Sequence, residues 1–249
     1  MNTSYDLWIN QARRLQTEEE WRSWEFLNPL IKLIDPSRYG DRKPRLFTAA
    51  CVRRLWDSPH LGKHGWVAEA LERQADTPPT TTEVQSVASA LREVRLSCTD
   101  VMGGMYWQMS IDYPTEPETD LWRVAWATAE AAIIAAGRQT RITAGLPDDR
   151  PDHVHSAAEE STLCDLLRCI FGNPFRSVTV DPSRIGWCSG TVRRLAQSVY
   201  EDGSFDLLPI LSDALEEAGC TETGMLEHCR STALHARGCW AVDLLLGRN

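Results

Sequence analysis

Apolar residues along this chain recur three and four apart, and almost nowhere two apart. Between Asp41 and Trp56, the residues Phe47, Ala50, Cys51 and Leu55 fall at i, i+3, i+4 and i+8, one face of a helix. Leu163, Leu166, Leu167, Ile170 and Phe171 repeat that spacing, as do Val192, Leu195, Ala196, Val199 and Tyr200. Leu207, Ile210, Leu211, Ala214, Leu215 and Ala218 form a further stripe, entered at Ser204 or Asp206 and ended by Gly219. An alanine-rich helix is expected over 119–136, with Gly137 as its stop. Looser periodicity assigns helices to about 18–34, 63–75, 81–96, 223–230 and 236–246. The apolar patches near Met105 and Val178 are too short and isolated for a sheet. The expected fold is all-α, a multi-helix bundle or orthogonal helical array.

Three stretches read as loops. Asp76-Thr-Pro-Pro-Thr-Thr-Thr is a proline-bearing turn whose threonines suit the cap of the next helix, and Tyr113-Pro-Thr-Glu-Pro-Glu-Thr plays the same part before the alanine-rich one. The polar run at 145–155 marks a boundary between an N-terminal helical part, 1–144, and a C-terminal helical module, 156–249, packed as one body. Phe171-Gly-Asn-Pro-Phe-Arg reads as a helix stop, a turn and a re-anchoring aromatic, Phe175.

Charge narrows the partners. A net charge of −9 argues against nucleic acid or an anionic membrane surface as the main partner. No apolar run reaches the roughly 18 residues of a membrane span, and the polar N-terminus is unlike a signal peptide, so a cytoplasmic setting is expected. Lys32, Lys43 and Lys63 are the lysines among 26 basic residues; the rest are arginines, as a GC-rich genome would give. Ten tryptophans exceed what a core needs and suit grooves and interfaces. The eight cysteines lack dense spacing and are expected as reduced thiols.

Catalytic signatures such as GxSxG, a P-loop, GxGxxG after a strand or HExxH do not occur. The densest reactive group is Cys220, His228, Cys229, His235 and Cys239. With a helix beginning at His235, the residues His235, Cys239 and Asp243 share a face at i, i+4 and i+8. Such a face suits a structural network in which buried Asp243 pairs with His235, Arg237 or Arg230. It also offers His235 and Cys239 as zinc ligands, with Cys220 and His228 supplying the others. A catalytic arrangement, Asp243 orienting His235 beside Cys239 or Cys229 as nucleophile, is poorly presented from within an apolar helix, and no catalytic residue is assigned. A second group, Asp152, His153 and His155 with Glu159 and Glu160, reads as a solvated turn entering a helix.

The run DLLRCIFGNPFRSVTVDPSRIGWCSGTVRRLAQSVYEDGSFDLLPILSDALEEAGC, followed by HCR and HARGCWAVDLLLG, resembles a paralogous family of uncharacterised planctomycete-type bacterial proteins. The resemblance covers about 165–247 and extends more loosely to TEEEW at 17–21 and DRKPRLFTAACVRRLW at 41–56. It implies a self-consistent C-terminal module and no particular activity. Members of that family often carry a Gly/Pro-rich loop between HCR and the next His, where this chain has Ser231-Thr-Ala-Leu.

The function expected from these features is a non-enzymatic interaction or regulatory module that binds another protein and needs no cofactor. The alternative is a zinc-binding protein centred on the C-terminal Cys/His group. A third reading is a small-molecule enzyme or sensor whose pocket gathers Trp187, Trp240, His235 and Asp243.

Overall fold

The computed structural model describes residues 15–55, 64–99, 121–145 and 156–248, and within them every regular element is helical, with no strand. The α-helices are α1 (Glu18–Ser23), α2 (Leu27–Ile31), α3 (Arg42–Arg54), α4 (Trp66–Asp76), α5 (Thr81–Thr99), α6 (Leu121–Thr143), α7 (Ala157–Phe171), α8 (Pro182–Ile185), α9 (Trp187–Asp202), α10 (Leu208–Glu217), α11 (Thr223–Arg230) and α12 (Trp240–Leu246). The chain divides into two units: one joins 1–35 to 164–249, and the other holds 36–163. The division falls inside α7, not in the polar run at 145–155.

In the 36–163 unit, α3 packs against α4 and α6, and α5 packs against both α4 and α6. The apolar stripe of α3 buries Phe47, Ala50, Cys51 and Leu55, with Val67 and Leu71 from α4 and Ile133 from α6 also buried. Thr80 caps α5 as its position implies: Oγ1 accepts from the Glu83 N–H at 3.3 Å, and the Glu83 carboxylate accepts from the Thr80 N–H at 2.9 Å. The alanine-rich helix runs through Gly137 to Thr143 and gives way to Gly145 at φ 68°. An interior glycine costs a helix only about 1 kcal/mol relative to alanine, and the packing of α6 on α3 and α5 offsets it.

In the other unit, the expected helix over 18–34 is two short ones, because Trp24 is extended (φ −77°, ψ 129°). A continuous helix would set Pro29 in its interior; the break leaves Pro29 in the first turn of α2, where its missing N–H is harmless. Thr17 and Glu20 close a capping box on α1. The Arg168 guanidinium on α7 donates to the backbone carbonyls of Trp21 and Trp24, which pins α1 beside α7.

Helices α9, α10, α11 and α12 share one core built from Val192, Ala196, Val199, Leu211, Leu215, Met225, Val242 and Leu245. Gly219, at φ 82°, ends α10: its own N–H reaches the Glu216 carbonyl and that of Cys220 reaches Leu215, both at 2.8 Å. Ser212 on α10 donates to the Leu226 carbonyl at 3.2 Å and ties α10 to α11.

Candidate metal centre

Helix α7 delivers Cys169 in its last turn and stops at Gly172, which has φ 68°. A Cβ on Gly172 would lie 3.1 Å from Cγ of Trp240, so this glycine both permits the left-handed stop and lets Trp240 approach the end of α7. The next residues form an Asx turn, with Asn173 Oδ1 accepting from the Phe175 N–H at 2.9 Å. Phe175 itself is 42% exposed and does not anchor the segment, a correction to the sequence reading.

Helix α11 delivers His228 in its last turn and ends where Ser231 turns extended (ψ 142°). Residues 231–238 then return to α12 without regular structure, and Gly238, at φ 92°, sets up Cys239 as the residue that caps α12. The final helix therefore begins at Trp240, not at 235 or 236. His235, Cys239 and Asp243 consequently do not form a stripe on one helix: His235 reaches the cluster from the loop.

These segments bring Cys169, His228, His235 and Cys239 together, with their four ligand atoms all within 4.8 Å of one another. Cys169 Sγ lies 3.5 Å from His235 Nδ1, and His228 Nε2 lies 3.1 Å from Cys239 Sγ. Tetrahedral zinc with Zn–S near 2.3 Å and Zn–N near 2.0–2.1 Å sets its sulfur and nitrogen ligands about 3.6 Å apart. The observed spacing is therefore close to that of a four-ligand cage. The two rings meet edge to face with centroids 4.9 Å apart, and Phe205 stacks on His235 while Trp240 lies against His228. Both thiols are buried and both imidazoles half-buried.

Second partners orient the ligands. His235 Nε2 is 3.4 Å from the Ser231 carbonyl, a contact that places the ring proton on Nε2 and leaves the Nδ1 lone pair facing the sulfurs. Burial, the largest influence on the Cys239 thiol, pushes it up. The hydrogen bond from Cys169, the charge of His228 and the hydrogen bonds from both imidazoles outweigh that and hold the thiol well below its usual range. Burial pushes the His235 imidazole down, but its hydrogen bond to Cys239, the charge there and the Ser231 carbonyl bring the net shift upward. Cys229 points away from its neighbour His228 into the core, and burial drives its thiol up, with Cys239 and Cys220 adding to the effect.

Three of the four residues expected as zinc ligands, His228, His235 and Cys239, sit in this cluster; Cys220 does not, and Cys169 takes its place. Cys220 is buried in the hydrophobic core just past Gly219, where the helix stop fixes it. Cys169 escapes linear reading because it lies 59 positions before His228 and sits within an apolar helical stripe; only the packing of α7 reveals it. Asp243 is fully buried on α12, its N–H bonded to the Cys239 carbonyl at 2.9 Å. Arg230 is engaged with Asp213 at 2.8 Å and Glu216 on the surface instead of with Asp243, while Arg237 lies 4.7 Å over the Tyr200 ring, which Arg248 also covers.

Asp152, His153 and His155 lie outside the described residues. Glu159 is held by Arg54 in two bonds of 2.9 and 2.7 Å, so it is a structural partner and not part of a solvated turn. Cys51, Cys164, Cys169, Cys188, Cys220, Cys229 and Cys239 take part in no disulfide. Among the described residues no helix is long and apolar enough to cross a membrane. No family model, curated protein or solved structure matches the chain.

Proposed function

We propose that the unit holding 164–249 is a zinc-binding module in which Cys169, His228, His235 and Cys239 clamp one ion. The observation that carries this reading is the convergence of two sulfurs and two imidazole nitrogens from three separate segments within 4.8 Å. Softness agrees with the assignment: two thiolates and two imidazoles in a tetrahedron suit zinc and are poor ligands for magnesium or calcium. Four protein ligands leave no coordination position for water or substrate, so the role is structural, joining the end of α7, the end of α11 and the start of α12. All four residues fall in the segments DLLRCIFG, HCR and HARGCW that carry the family resemblance. The module fits a non-catalytic interaction protein better than an enzyme.

Cobalt substitution tests this. Tetrahedral S2N2 cobalt gives strong visible d–d bands and a sulfur-to-metal charge-transfer band. Stoichiometric appearance of both, lost in Cys169→Ser, is the expected result. A weak octahedral-type spectrum, or one indifferent to Cys169→Ser, would overturn the assignment.

A further inference from the structure

Helices α3, α4, α5 and α6 do not close completely on one another. A cavity of about 260 Å³ remains among them, walled by Leu71, Val84, Val87, Leu91 and Val124. Polar groups gather where Gln74 and Arg45 line it. Most of their donors are committed. Arg45 Nη1 donates to the Gln74 backbone carbonyl at 3.0 Å, its Nη2 lies 3.6 Å from the Asp41 carboxylate, and Thr48 Oγ1 donates to the Pro44 carbonyl at 2.8 Å.

Gln74 is the exception. Its residue is only 5% exposed, yet its side-chain Nε2 has no hydrogen-bond partner. Native proteins rarely bury a donor unmet, because the desolvation it suffers goes unrewarded. An apolar chamber with one open donor is the usual design of a small-ligand site, in which the walls supply affinity and the polar group supplies selection.

We propose that this cavity binds a small, uncharged, apolar molecule bearing a carbonyl-type acceptor, with that oxygen on Gln74 Nε2. The volume sits below the roughly 300–1,000 Å³ of drug-sized sites, which limits the ligand to a single ring or a short chain. Charge sets the remaining limit. Arg45 donates to the Gln74 carbonyl and lies 3.6 Å from the exposed Asp41 carboxylate, which also lines the cavity, so an incoming carboxylate would sit beside a like charge and compete for an arginine already engaged. The site belongs to the 36–163 unit and is independent of the zinc ligands.

Three matched probes test it on the full chain by ligand-observed NMR: acetophenone, ethylbenzene and benzoate. Acetophenone is expected to bind about tenfold more tightly than ethylbenzene, the effect of meeting one buried donor, and benzoate more weakly than either. Gln74→Met keeps the chamber apolar and removes the donor, so acetophenone should fall to the level of ethylbenzene while ethylbenzene binds as before. Equal affinity of acetophenone and ethylbenzene for the wild type would overturn the role of Gln74 without need of any variant. Tightest binding by benzoate would overturn the uncharged class, and no binding by any of the three up to their solubility would overturn the site.

Discussion

Arg54 and Glu159 show how much one side chain can matter here. The carboxylate is only 8% exposed and meets the guanidinium in a two-bond fork, whereas the arginine is 37% exposed. Removing the arginine strands a buried charge; neutralising the glutamate as well leaves only a buried amide, a smaller penalty. Arg54→Ala is therefore expected to lower stability in a urea melt by about 2 kcal/mol, and Arg54→Ala with Glu159→Gln to recover most of it. Cys51 makes a second case. Burial, reinforced by the charge of Glu159, pushes its thiol above 9.0. The folded state then holds a proton that the unfolded chain releases, so this contribution to stability is complete below about pH 8.5 and declines as pH rises further. Urea midpoints should fall between pH 8 and 10, and fall less steeply in Cys51→Ala.

At the scale of elements, stops and starts place the site more than helix interiors do. The periodic stripes of α3, α7 and α9 are where apolar spacing puts them, because each buries one face against a core that the pattern encodes directly, whereas on α10 the buried face runs through Leu208, Leu211, Ala214 and Leu215 and the expected stripe residue Ile210 is 53% exposed. Starts are less legible. Helix α12 begins at Trp240 because Gly238 takes a left-handed backbone and Cys239 becomes the capping residue, a choice set by packing against α9 and α11 rather than by hydrophobic spacing. Gly172 is the element-scale lever. Gly172→Ala must place a Cβ in a left-handed conformation and 3.1 Å from Trp240, so a loss of about 2 kcal/mol in thermal or urea melts is expected. Because Cys169 is three residues upstream, the same substitution should weaken cobalt binding, while Gly145→Ala, with open space around its Cβ and in the unit that does not hold the cluster, should leave cobalt binding unchanged.

Across the whole molecule, fold class was legible and the Cys/His cluster was legible only in part. His228, His235 and Cys239 lie within twelve positions of one another, so their density stands out in the chain. The fourth member of the cluster comes from α7, and nothing in local spacing separates Cys169, which joins it, from Cys220, which fills the core. Tertiary packing makes that choice. The division into 36–163 and the unit joining 1–35 to 164–249 has the same origin: Arg168 draws the carbonyls of Trp21 and Trp24 to α7 across more than 140 positions, a contact no periodicity encodes.

The central claim is that Cys169, His228, His235 and Cys239 hold one zinc ion. Elemental analysis of chain purified without a metal-affinity tag, run for the wild type, Cys169→Ser and Cys220→Ser, tests it most directly. About one zinc per wild-type chain is expected, retained in Cys220→Ser and lost in Cys169→Ser. A wild-type chain that stays free of zinc even after incubation with the metal, or a zinc content that depends on Cys220 and not on Cys169, would contradict the account.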